Sequence, residues 1–406
     1  MSLSNNFPAA RPTLNLDFAN VGALDPRITF TRASIGTFTG SNGLIQTAAA
    51  GVPRFDYDPV TRAARGLLIE EQRTNLLTYS EDFSNAAWNK TNTTVTPNSI
   101  VSPDGTTSAD KLEAATTAFT GVSRVVTATS TALTYSIYAK KGSGATDLNS
   151  FGLRNSTTST NLVIGTFNYD TGVWSGTAGV IVSSAGDGWW RIQIAASSGI
   201  TVGDSMIVYL GGTGNTETAG EFAYFWGAQL EAGAFATSYI PTVATQVTRS
   251  EDFARMTNVS PWYNAAQGTL FYEMTFDASY NYPVTPTFYQ SASANGNIIG
   301  VYSNTATQFV GLIRSGSVNQ ASMGVNGTVL GEHKTAIAYS AGSAAVAVDN
   351  LAVVTGAPAT LPTIDTLGIA GLQSGYTQVG NAVGHIRRIT YYPIRVSNAQ
   401  LQALTS

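Results

Sequence analysis

The 406 residues include only two histidines, His333 and His385, and no cysteine. A Ser–His–Asp triad must use an imidazole, so any such site would have to form on one of these two. His385 opens the run His385-Ile386-Arg387-Arg388-Ile389, which reads as a strand, and His333 lies in Gly331-Glu332-His333-Lys334, which reads as a turn. The chain has no Gly-x-Ser-x-Gly nucleophile elbow. Both histidines are therefore read as structural or surface residues, with no catalytic residue and no metal site assigned. The absence of cysteine excludes disulfides and thiolate metal sites.

Glycoside cleavage is the stronger catalytic reading to test, because it needs only two carboxyl groups about 5–9.5 Å apart. On one strand, residues i and i+2 share a face at roughly 6.6–7 Å, and i and i+4 lie about 13 Å apart. Glu273 and Asp277 are too far apart on a straight strand, and Glu70 and Glu71 point to opposite faces. Asp56 and Asp58 have suitable spacing, but Asp58 precedes Pro59, and turn formation and solvation account for the pair. A pair drawn from separate strands stays open. Glu81 and Asp82 are loop oxygen donors of the kind that can hold a structural calcium, although no spaced acidic loop of the EF-hand type is present.

Aromatic side chains in polar loops suggest a different chemistry: stacking against the apolar face of a sugar ring. Trp174 lies beside Gly172 and Ser175, Trp262 and Tyr263 follow Pro261, and Tyr280 and Tyr282 sit in Ser279-Tyr280-Asn281-Tyr282-Pro283. These five are the candidate ligand-binding residues. Large aromatics also dominate cores and subunit contacts, and Trp88, Trp190 and Trp226 are assigned to the core.

The elements that must position these groups read as strands. Only 11 % of residues are charged, while 40 glycines, 18 tyrosines and 17 phenylalanines favour short strands and tight turns. The formal charge of −4 with no long basic run excludes a phosphate-tracking surface. The start Met-Ser-Leu-Ser-Asn-Asn lacks a signal-peptide pattern, and no apolar run approaches a membrane span. Three stretches are expected. Residues 1–72 are turn-rich, with Asp25-Pro26, Asn42-Gly43 and Asp58-Pro59. Residues 73–250 carry strand candidates such as Leu133–Ala139, with Leu133, Tyr135 and Ile137 on one face, and a hairpin turn at Asp170-Thr171-Gly172. Residues 251–406 continue with Leu270–Phe276, a tight turn at Val348-Asp349-Asn350-Leu351, and one helix. That helix has Ser397 as N-cap, Gln400 completing a capping box, and Val396 and Leu401 as a hydrophobic staple. The pattern predicts an all-β chain: two antiparallel β-sandwich, jelly-roll-type domains after a turn-rich N-terminal segment.

Several blocks resemble phage head-spike and tail-fibre-like structural proteins. They are Asp25–Ser34, Pro53–Pro59, Gly66–Leu77, Tyr79–Phe83 with Trp88, Ala109–Leu112, Gly188–Arg191, Gln229–Gly233 and Thr237–Thr242. The middle stretch is similar to jelly-roll carbohydrate-binding modules. The last stretch is similar to concanavalin A/laminin-G-like domains, through Val348-Asp349-Asn350 and the ending Arg387–Leu404. The resemblance implies a virion protein assembled in the host cytoplasm. Residues 1–72 would attach or oligomerise it on other virion proteins, and the two sandwiches would bind host-surface glycan. A homo-oligomer such as a trimer is expected, with no nucleic acid and no membrane insertion. The other readings are a capsid-decoration or tail protein without ligand, and a polysaccharide depolymerase.

Overall fold

The computed structural model describes residues 10–212, 216–277, 284–293, 296–370 and 383–406. Every paired strand in them is antiparallel, and the strands build two β-sandwiches. Among the described residues no helix is long and apolar enough to cross a membrane.

The first sandwich forms from one continuous run of chain. One of its sheets runs Val180–Gly186, Trp189–Ala196, Leu133–Lys140, Phe222–Ala232, Thr107–Ala114, Thr93–Val101. The other runs Val173–Gly176, Thr160–Asn168, Ser150–Asn155, Ser205–Leu210, Gly121–Thr127, Asn89–Thr91. Alternation fixes which side chains enter the core. Leu133, Tyr135 and Ile137 meet Ile192, Ile194, Phe151 and Phe167 there, as the sequence pattern requires. The opposite face of the same sheet is also covered. Tyr138, Trp189 and Trp226 form a second apolar cluster with Tyr239, on which Ile45 packs.

The second sandwich is discontinuous. Residues 253–392 supply most of its two sheets, but Leu14–Asp17 pairs with Gly384–Tyr392, as does Ala64–Ile69, while Ile28–Thr31 pairs with Phe253–Thr257. Leu14, Leu16, Phe18, Leu67 and Ile69 lie in one core with Leu270, Tyr272, Phe288, Ile337 and Ile389. The division at residue 72 is therefore corrected. Residues 14–69 are not a separate segment in space but part of the same sandwich as residues 251–406, because their short strands complete its sheet edges and core. The continuous sandwich is an insertion into this host. Its entry and exit strands, Arg73–Asn75 and Val247–Arg249, pair with each other.

The helix spans Asn398–Leu404 with the capping box of Ser397 and Gln400 in place, and Val396 and Leu401 buried together under it. At the turn after Val348, Asp349 and Asn350 both take positive φ and Leu351 N–H donates to Val348 O. Asn tolerates that region without glycine.

Candidate functional site

The two sandwiches meet along a seam held by charge. Arg54 is fully buried on the loop before Phe55–Tyr57; its Nη1 donates to Glu70 at 2.6 Å and its Nη2 to Asp252 at 2.5 Å. Arg249 donates to the same Glu70, and Arg32 to Asp252 at 3.1 Å. Glu70 also accepts from Ser238 N–H at 2.6 Å and Ser238 Oγ–H at 2.7 Å. Burial alone would raise the Glu70 carboxyl, but Arg249, Arg54 and the Ser238 hydrogen bonds hold it well below the usual carboxylate range. Burial likewise disfavours the Arg54 cation, and Asp252 and Glu70 outweigh it. Such a cluster is costly to break, because removing one partner strands buried charge.

Motif blocks distant in sequence converge on this seam. Asn75 Nδ2 donates to Ala228 O and Ile240 O, and Gln229 Oε1 accepts Ile240 N–H at 2.6 Å. Tyr239 Oη lies 2.6 Å from Ser80 Oγ and donates to Glu81 at 2.9 Å. Asp110 accepts from Phe83 N–H and Asn98 N–H; burial pushes its carboxyl up to about 6 against those bonds.

Beside the charge cluster the seam opens into a cavity of about 340 Å³, within the size range of small-molecule sites, about 300–1,000 Å³. The hairpin Gly36–Thr39/Ile45–Ala48 forms one wall. The edge strand Val180–Gly186 and its neighbour form another, with Ser183, Ser184, Arg191 and Gln193. The host sandwich adds Asp56, Asp277 and His385. His385 is buried; its Nε2 lies 2.9 Å from Asp56 and its Nδ1 3.2 Å from Asp277. Asp56 also accepts Thr39 N–H at 2.6 Å, tying the hairpin to the imidazole. Burial works against the His385 cation, but Asp277 and Asp56 hold its pKa up to about 10. With a carboxylate on each nitrogen the ring is a clamped imidazolium. It has no lone pair to act as a base at neutral pH.

The cross-strand carboxylate pair left open by the sequence is thus Asp56 and Asp277, and it closes on a histidine. Asp58 behaves as expected, accepting Val60 N–H and Thr61 N–H in its turn and pairing with Arg65. His333 Nδ1 lies 2.5 Å from Asp349, its ring packs on Phe276 and Phe309, and it lines a separate cavity with Glu273, Glu332 and Lys334.

Of the three predicted sugar-stacking residues that are described, Trp174 lies on the inserted sandwich, and Trp262 and Tyr263 lie in the host. Trp262 is buried in the host core against Phe288 and Tyr391, and Tyr263 packs against Phe288, Tyr339 and Tyr391. Neither presents a free face, because the Pro261 turn folds inward onto the core. Trp174 is half-buried over Gly165, with its Nε1 donating to Thr177 O at 3.0 Å, and it does not line the seam cavity. Tyr280 and Tyr282 lie outside the described residues. Trp88 and Trp226 are core residues as assigned, and Trp190 packs at the core edge against Phe167. Glu81 and Asp82 are hydrogen-bonded within the protein. Glu81 is taken by Tyr239, Asp82 accepts from Ser84 Oγ–H and Asn85 N–H, and among the described residues no group of three ligating side chains forms. The seam residues Asp56, Asp277, His385, Arg191 and Gln193 were missed as a site because nothing local links them.

No protein-family model matches the chain, and no curated protein matches it. Among solved structures, the chain is similar to the CBM40 module of the Ruminococcus gnavus IT-sialidase, solved with α2,3-sialyllactose. The two are 13 % identical over 35 % of this chain and 84 % of that module, with a TM-score of 0.30. It is also similar to mouse laminin α1 chain domains LG4-5, at 10 % identity over 68 % and 86 % of the two chains, TM-score 0.29. A third similarity is to the CBM22 tandem of Paenibacillus barcinonensis Xyn10C, at 12 % identity over 80 % and 99 %, TM-score 0.27. By its own topology, the chain is a two-lobed, all-β protein with one antiparallel sandwich inserted into another.

Proposed function

We propose that this protein is a non-enzymatic, glycan-binding adhesin of a bacteriophage particle, and that the glycan enters the seam cavity. The carrying observation is the cavity wall. Ser183, Ser184 and Gln193 offer hydroxyl and amide groups on an edge strand and its neighbour, and the charged groups opposite are already paired. A sugar needs many modest hydrogen bonds, which such a wall supplies. Hydrolysis needs a proton donor and a second free carboxylate. Here both oxygens of Asp56 are engaged, by Thr39 N–H and by His385. Weak sites of this kind gain affinity through copies on one particle, which suits a spike or fibre.

The virion setting rests on the sequence blocks that resemble phage head-spike and tail-fibre-like proteins. Homo-oligomerisation, for example as a trimer, belongs to the same reading. Because residues 14–69 are woven into the host sandwich, attachment to other virion proteins would use a folded surface of that lobe. The test is a glycan array with the purified chain, paired with reducing-end measurement on host capsule. Binding without released sugar supports the proposal. Released sugar would favour a depolymerase built on Asp56 and Asp277, and no binding would favour a purely structural decoration protein.

A further inference from the structure

Six cationic side chains lie along the seam: Arg32, Arg54, Arg65, Arg191, Arg249 and His385. Every other member has an ion-pair partner, but Arg191 has none among the described residues. Its Nη2 donates only to neutral oxygens, Thr237 O at 2.5 Å and Ser136 Oγ at 3.3 Å. Its Nε is buried without an acceptor, and its guanidinium is fixed over the Tyr138 ring, 5.5 Å from the centroid. A partly buried guanidinium held on neutral acceptors, lining a cavity in a chain of net charge −4, calls for an anion.

Resting on the glycan reading above, we infer that the seam cavity selects a sugar that carries a carboxylate, with Arg191 as the carboxylate anchor. The cavity offers the rest of such a sugar its hydroxyl and amide partners at Ser183, Ser184 and Gln193, on the same edge as Arg191. The Asp56–His385–Asp277 group does not repel the incoming anion as two free carboxylates would, since the imidazolium sits between them. The ion pair with Arg191 is rigid from the start, because the guanidinium is held before the ligand arrives.

The experiment titrates the full chain with hexuronate-containing oligosaccharides and with the same oligosaccharides after carboxyl reduction, by calorimetry at two salt concentrations. The acidic forms bind about tenfold or more tightly than the reduced forms, and the difference shrinks as salt rises. Arg191→Gln removes that preference, Arg191→Lys keeps part of it, and thermal melts of both variants report whether the fold is retained. Equal binding of acidic and reduced forms by the unsubstituted chain overturns the inference while leaving glycan binding intact. An unchanged preference in Arg191→Gln also overturns it. Failure of every glycan, neutral or acidic, sinks both this inference and the glycan reading.

Discussion

The inserted sandwich and its host have the same architecture but are assembled differently. The inserted lobe closes its core from one run of chain, and the widest pairing within its two sheets, Asp110 with Phe225, stays within that run. The host closes only when Leu14 meets Tyr391 and Leu68 meets His385, pairings more than three hundred residues apart. Local chain closure is entropically cheaper than distant closure, so the inserted lobe is self-sufficient, whereas the host depends on both ends and on the charged seam. The comparison also separates two charge clusters. The Arg54–Glu70–Asp252 cluster is buried, with Glu70 reaching the cavity wall and bonding Ser238 of the inserted lobe, and the Asp56–His385–Asp277 cluster faces the cavity.

The largest effect is expected from Glu70→Ala. It strands Arg54 and Arg249 in the interior and removes the acceptor of Ser238, a loss of about 3–5 kcal/mol for a broken buried pair. In denaturant unfolding the host transition falls sharply, and a separately expressed 73–250 fragment still melts cooperatively. If Glu70→Ala melts like the unsubstituted chain, the seam is not what couples the lobes. Next comes Leu16→Ala, in a strand that fills the host core. Truncation of a buried leucine costs roughly 2–5 kcal/mol, which would show as early loss of the host transition. An N-terminal segment independent of residues 251–406 would leave that transition unmoved.

A smaller effect is expected from pH. The folded His385 pKa of about 10 lies above its ordinary value of 6.5. Its contribution is therefore fully present below about pH 6.5 and is lost as pH rises through 10. Because Asp277 is 43 % exposed, solvent screening reduces the contribution to the order of 2 kcal/mol. His385→Gln should flatten the fall of melting temperature between pH 7 and 10.5 relative to the unsubstituted chain; parallel curves would refute the clamp. Least of all, Trp174→Ala should leave glycan affinity within about twofold, because Trp174 lies outside the cavity. A large loss would move the site onto that hairpin.

Much of this fold was legible because alternation and turn chemistry are local signals. The segment Leu133–Ala139 became the strand Leu133–Lys140, Leu270–Phe276 falls within Gln267–Phe276, and the Ser397 capping box and Asp349-Asn350 turn formed as read. The strand Gln267–Phe276 buries both faces: Leu270, Tyr272, Met274 and Phe276 enter the main core, and Phe271 packs under the helix. The site was not legible. Asp56 and His385 are 329 positions apart, and no periodicity predicts which distant strand completes a sheet. Burial of loop aromatics is hard to read for a related reason: a polar loop can fold its rings inward, as Trp262 and Tyr263 do.

Whether the open end of the seam takes a sugar and leaves it intact is settled most directly by titrating host surface polysaccharide into the full chain and into a Ser183→Ala/Gln193→Ala variant. The variant should keep its melting temperature and lose about tenfold or more in affinity, and no reducing ends should accumulate with either protein. Equal affinity in the two proteins, or steady release of sugar by the unsubstituted chain, would contradict a binding seam that does no chemistry.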